Sequence, residues 1–265
     1  MGHGGTLDPM ATGVLVVGVE RATRLLTYVT GCDKEYRATI RLGQSTITDD
    51  AEGEVTATAE PAALAEAAIP DTAIAAGLAR LTGPIDQVPS AVSAIKVNGV
   101  RSYARVRAGE DVQLAARRVT VRSLTTLAVR REERSVDVDV DVVCSSGTYV
   151  RAIARDLGVM LGVGAHLTAL RRAAVGEFVV AEAVTLDELA ARPDPVVLPL
   201  AAAVARLMPG RQVAEAEARI LAHGGVLDPC GIAGPYAVFD PEGAVIGVVV
   251  ESDGRARPSV VLAPA

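Results

Sequence analysis

VDVDVDVVCSSGTYVRAIARDLGVMLG, Val136 to Gly162, is the passage from which the fold is read. In the stretch Val136 to Val143 valine and aspartate alternate as far as Val142, so one face of a strand is apolar and the other polar. CSSGTY then supplies turn residues, and VRAIARDLGVMLG has the spacing of an amphipathic helix, with Ser146 or Thr148 as its expected N-cap. A half-buried strand running through a short turn into a helix implies a domain that mixes helices with a sheet. The same passage raises a question of charge, because Arg151 falls in the first helical turn. A cation there opposes the helix macrodipole by a few tenths to about 1 kcal/mol. Either the side chain projects into water or a carboxylate holds it in place.

Upstream, GVLVVGV (Gly13–Val19) is a β-branched run bounded by glycines and reads as a buried strand. YRATIRL (Tyr36–Leu42) alternates and reads as a second strand closed by Gly43. Asp71 to Leu81 reads as a helix capped by Asp71, and Arg118 to Val129 as a further strand. RPDPVVLPL (Arg192–Leu200), with three prolines, marks a boundary. Beyond it a helix over Ala214–His223, a hairpin over Tyr236–Glu251 and a short strand over Ser259–Leu262 suggest a small β-rich module.

The 265 residues are 50% apolar, enough for a sizeable core, yet only 3% aromatic, so that core rests on Val, Leu, Ile and Ala. The three cysteines and three histidines are scattered without metal-ligand or disulfide spacing. Neither a signal peptide nor an apolar run long enough to span a bilayer is visible, so the expectation is a cytoplasmic protein with no membrane and no metal. The net charge is −6, but from Lys96 to Arg134 ten basic residues face four acidic ones. That stretch is either a solvated charged face or a nucleic-acid footprint.

The remaining signal is GHGGTLDP, Gly2 to Pro9, in which one carboxylate, Asp8, sits in a glycine-rich loop. HGG also occurs in the oxyanion turns of acyl hydrolases, but those need a GxSxG elbow and none is present. No phosphate-binding glycine motif accompanies it. An Asx turn is the plain alternative for an Asp-Pro pair.

Four blocks taken together, GHGGTLDPMATGVLVVGVERATRL, DKEYRATIRLGQSTITDDAEG, QVPSAVSAIKVNGVRSYARVRAG and CSSGTYVRAIARDLG with GAHLTALRR, resemble the TruB-type family of tRNA pseudouridine synthases. Arg211–Ala265 resembles a PUA-type RNA-binding domain. The resemblance implies an α+β fold with a mixed, mainly antiparallel central sheet and flanking helices, divided into a synthase domain over 1–195 and a PUA-like domain over 200–265. It implies isomerisation of the T-loop uridine of tRNA, position 55, to pseudouridine by base flipping; a non-catalytic tRNA-binding or folding chaperone is the alternative. Residue by residue, Asp8 matches the family's essential aspartate, Arg151 its arginine partner and Tyr36 the aromatic residue that stacks on the target base and assists proton transfer. Tyr149 and Leu170 match pocket residues, and His3 the histidine that takes the place of the flipped nucleotide. The basic stretch from Lys96 matches a segment that closes on RNA. No cofactor is implied, the partner is the T arm of tRNA, and a monomer is expected. The family carries a strand, a Lys-Pro turn and a helix ahead of the GH block, so the expectation is that the native chain extends upstream of Met1. Gly4 stands where the family has Thr or Ala.

Overall fold

The computed structural model describes residues 1–90, 96–97, 100–101 and 114–263, which gather into two compact units. One comprises Leu7–Gly13 and Cys32–Ala174; the other comprises Met1–Thr6, Val14–Gly31 and Val175–Ala265.

The first unit is built on the alternating strand. Of its elements, β1 (Thr12–Gly13), β2 (Lys34–Leu42), β3 (Gly83–Gln87), β4 (Arg117–Glu132), β5 (Ser135–Cys144) and β6 (Ala165–Val175) are strands; α1 (Asp71–Arg80) and α2 (Val150–Leu161) are helices. The sheet order is β6-β2-β5-β4-β3, with β1 laid parallel on β6 and β5 antiparallel to both its neighbours. Val136, Val138, Val140 and Val142 are fully buried, each worth roughly 1.5–3 kcal/mol in area removed from water. Ile153 and Leu157 of α2 and Ile74 and Leu78 of α1 join the same core. The two helices pack closely because Gly77 leaves room, a Cβ there standing 2.6 Å from Leu157. The aspartates of β5 are answered from across the sheet: Arg41 grips Asp137 with two 2.7 Å hydrogen bonds, and Thr39 and Arg130 both donate to Asp139.

In the second unit, Tyr236–Phe239, Val245–Ser252 and Arg255–Val261 form an antiparallel meander, with Gly210–Gln212 added in parallel. The helix Glu215–Ala222 covers it through Ala218 and Leu221. The last strand begins at Arg255, four residues before the expected Ser259, because Arg255–Ser252 pairing extends the register. Arg21 and Arg24 donate to the carbonyls of Leu262 and Val261, so the Val14–Gly31 stretch is part of this unit.

Three local expectations are corrected. GVLVVGV is no continuous buried strand: only Thr12–Gly13 and Val17–Gly18 pair, and Leu15, Val17 and Val19 are exposed. Gly13, at φ +103°, breaks the run, and Val17–Gly18 has only Gly2–His3 as a partner. Asp71 is the first residue of α1, following Pro70, rather than its cap. Helix α2 is capped by neither Ser146 nor Thr148; it starts after Tyr149, and the Thr148 hydroxyl donates instead to the Ser145 carbonyl.

Candidate active site

The loop that carries Asp8 is fixed at both ends of a short turn. Ala11 N–H donates to the Asp8 carbonyl at 2.9 Å, and β1 then pairs with Arg171 and Arg172 of β6. Gly13 is required at that junction, since a Cβ would lie 2.1 Å from the Arg172 carbonyl oxygen and its φ is positive.

Arg151 answers the question of charge posed by its position. Its Nε and Nη2 donate to the two carboxylate oxygens of Asp8, both at 2.9 Å, in the fork geometry that makes arginine–carboxylate pairs directional. Its Nη1 donates to the Thr48 carbonyl at 2.8 Å and lies 3.3 Å from Asp50 Oδ2. The Arg151 side chain is 5% exposed, Asp50 3% and Asp8 30%, so one buried guanidinium joins a buried carboxylate to one that opens to solvent. Two anions and a carbonyl offset the opposing helix dipole.

Asp50 was not visible as a site residue in the sequence, although TDDAEG carries the turn chemistry that builds it. Its Oδ1 accepts from Thr48 Oγ1 at 2.5 Å and from Glu52 N–H at 3.1 Å, a side-chain turn that aims Oδ2 at Arg151. Asp49, at φ +60°, swings the chain so that its carbonyl accepts from Leu167 N–H on β6, while Arg155 reaches its carboxylate. Burial pushes the Asp49 carboxyl above the ordinary carboxylate value, with Arg155 opposing the shift. Gln87, 2% exposed, was also missed: its side-chain amide clamps the Tyr149 backbone through Tyr149 N–H at 2.8 Å and the Tyr149 carbonyl at 3.1 Å. That clamp fixes where α2 begins and hence where Arg151 points.

Tyr36 lies on β2 opposite Val142, half-buried against the main core. Burial raises its phenol above the usual value; a hydrogen bond and the charge of Arg172 oppose this, and the charge of Asp8 adds to it. Leu170, nearly buried, stands two residues before Arg172 on the same face of β6. Tyr149 is half-buried at the start of α2. His3 belongs to the other unit, exposed, with its backbone paired to Val17. The side chain of Lys96 and the residues 102–113 of the basic stretch lie outside the described residues. Within the described part, Arg118, Arg122, Arg130 and Arg131 are paired with Asp86, Asp33, Asp139 and Asp71, which neutralises much of the local charge. Among the described residues, no three His, Cys, Asp or Glu side chains are grouped to hold a metal, and no helix is long and apolar enough to cross a membrane.

Comparison with known proteins adds an independent line. Residues 1–150 match the model of the TruB family pseudouridylate synthase N-terminal domain. Residues 151–205 match the tRNA pseudouridylate synthase B C-terminal domain, and residues 208–263 match a model described as tRNA pseudouridine synthase II, C terminal. The chain is 52% identical over 275 residues to the tRNA pseudouridine synthase B of Paenarthrobacter aurescens, covering all of this chain and 86% of that one. It is 53% identical over 267 residues to the tRNA pseudouridine synthase B of Thermobifida fusca, covering 99% and 89%. Among solved structures, a Cbf5-Nop10-Gar1 complex matches with a TM-score of 0.70 at 24% identity over 99% of this chain and 76% of that one, a likeness of fold.

Proposed function

This chain belongs to the TruB family of pseudouridine synthases, isomerases that act on tRNA, and from that premise we propose that Asp8, Arg151 and Tyr36 convert the T-loop uridine at position 55 to pseudouridine. The observation that carries the reading is the forked ion pair: Asp8 is gripped at 2.9 Å through both oxygens by an arginine that is itself buried, yet Asp8 keeps a solvent-facing edge.

The reaction breaks the N1–C1′ bond of the nucleoside and makes a C5–C1′ bond to the same base. The C5 proton leaves and N1 ends protonated, with no net oxidation or reduction. A carboxylate held in one orientation beside the ribose supplies negative charge where C1′ becomes electron-poor as the base departs with its bonding pair. The target base is flipped out of its stack at a cost of a few kcal/mol. Stacking on the Tyr36 ring, worth about 1 to 3 kcal/mol per base, offsets much of that. Tyr149 and Leu170 complete the pocket wall, His3 fills the space the base leaves, and Lys96 with the arginines that follow it contacts backbone phosphate of the T arm, giving salt-dependent affinity. The functional division we propose is a synthase region over 1–195 and a PUA-like RNA-binding region over 200–265, working as a cytoplasmic monomer without cofactor.

The test is release of tritium from a T-arm hairpin labelled at uridine C5. The wild-type chain releases it and Asp8→Asn does not while still binding the hairpin. Binding without release by the wild type would make this a non-catalytic tRNA-binding protein.

A further inference from the structure

The largest side chain among those fully buried is a charged one, Arg172, at 1% exposure. The function proposed above gives its side chain no role, and an ion of this size is held out of water only where fixed partners compensate it. It stands on β6 at the point where β1 closes the Asp8 loop, since Gly13 pairs with it in register. On the neighbouring strand β2 it meets the Tyr36 hydroxyl with a hydrogen bond, and its charge also acts on Lys34, two residues before Tyr36 on that strand. One strand position therefore anchors the backbone of the Asp8 loop and touches the polar end of Tyr36.

The chemistry of the two groups fixes the direction of that bond. A guanidinium has five donors and no acceptor, while a phenol has one proton and two lone pairs. Arg172 must donate, so the Tyr36 oxygen accepts there and its own O–H is left to point elsewhere.

We propose that Arg172 is a positioning residue that holds the Tyr36 hydroxyl as an acceptor on its buried side, so that its proton is presented to the flipped uracil. The inference rests on the role given to Tyr36 above. The cation also stabilises negative charge that grows on the phenol oxygen when the proton is passed to the base, and the hydroxyl regains a proton when C5 gives one up. One proton leaves C5 and one arrives at N1, so the relay needs no co-reactant.

A double-mutant cycle tests it, read as single-turnover pseudouridine formation on a T-arm hairpin, with hairpin affinity and thermal unfolding measured for each variant. Arg172→Lys and Arg172→Gln are made alone and in a Tyr36→Phe background. The expectation is that each single Arg172 variant slows formation about tenfold or more with hairpin affinity held within about twofold. In the Tyr36→Phe background the same change alters the rate by less than about twofold, because its target is gone. Losses that multiply in the double variant, or a wild-type rate in a folded Arg172 variant, overturn the proposal while leaving Tyr36 its role. A wild-type rate in Tyr36→Phe overturns the role of the Tyr36 hydroxyl and this inference with it. Failure of both Arg172 variants to fold assigns the residue to core stability and rejects the positioning role.

Discussion

Two sets of Arg–Asp pairs lie in the same unit of this protein. On the outer face of the sheet, Arg41 holds Asp137 with two 2.7 Å bonds, Arg130 pairs with Asp139, and Arg37 lies 3.4 Å from Asp141. At the start of α2, Arg151 holds Asp8 with two bonds of 2.9 Å and Asp50 at 3.3 Å. The chemistry is the same, and Arg41 and Arg130 share the fork geometry of Arg151. The difference is the cation's contact with water: Arg41 is one-third exposed and Arg37 two-thirds, while Arg151 and its second anion Asp50 are almost fully buried. The carboxylates do not divide the same way, Asp137 being less exposed than Asp8. A pair in contact with solvent exchanges hydration for a contact of similar worth, whereas a buried charge has no alternative partner. The sheet pairs settle register and solubility; the buried cluster fixes the orientation of one carboxylate.

Replacing the buried cation has the largest expected effect. Arg151→Met leaves Asp50 uncompensated and should lower stability by about 3 to 5 kcal/mol, with pseudouridine formation lost in whatever fraction folds. Chemical denaturation and single-turnover assays check it, and a loss below about 1 kcal/mol contradicts the burial argument. Next comes Asp50→Asn, which keeps the turn acceptor but presents an amide N–H to Arg151 Nη1. A loss of about 1 to 3 kcal/mol is expected, read as a lower denaturant midpoint at unchanged slope. Arg41→Ala, in the sheet set, should cost no more than about 1 kcal/mol, diminish further in high salt, and leave the rate unchanged. A loss as large as that of Arg151→Met would erase the distinction between the two sets.

The smallest effect concerns Asp49. Its folded-state value lies above the ordinary 3.8, so between the two the native state binds more protons than the unfolded one. Stability from this group is therefore present at low pH and falls as pH rises through that interval. Asp49→Asn, which the left-handed backbone at this position accepts, should flatten the decline above about pH 4 and be neutral to slightly stabilising at pH 7. A steeper decline in the variant would reverse the assignment.

Much of this was legible in the sequence, and the rest was not for physical reasons. The period-two pattern of Val136–Val142 fixes face and strand together, and the structure buries each of its four valines. Arg151 announced a partner by its electrostatically poor position, and Asp8 is that partner. The GVLVVGV run misled because β-branched composition reports a preference for strand but carries no information on whether a long partner strand exists. Asp50, Gln87 and Arg172 stayed hidden because each acts on a residue about 60 to 140 positions away in the chain, through contacts that no local pattern encodes. Of these, only Asp50 had a local signature, the turn-forming TDDAEG.

The most direct measurement sets one carboxylate from each set side by side: C5 tritium release from the T-arm hairpin by Asp8→Asn and by Asp137→Asn. Both lose one partner of a forked arginine pair. A fall on the order of 10³-fold or more is expected for Asp8→Asn and a rate within about twofold of wild type for Asp137→Asn. Equal losses in the two variants, or release by Asp8→Asn at the wild-type rate, would contradict this expectation.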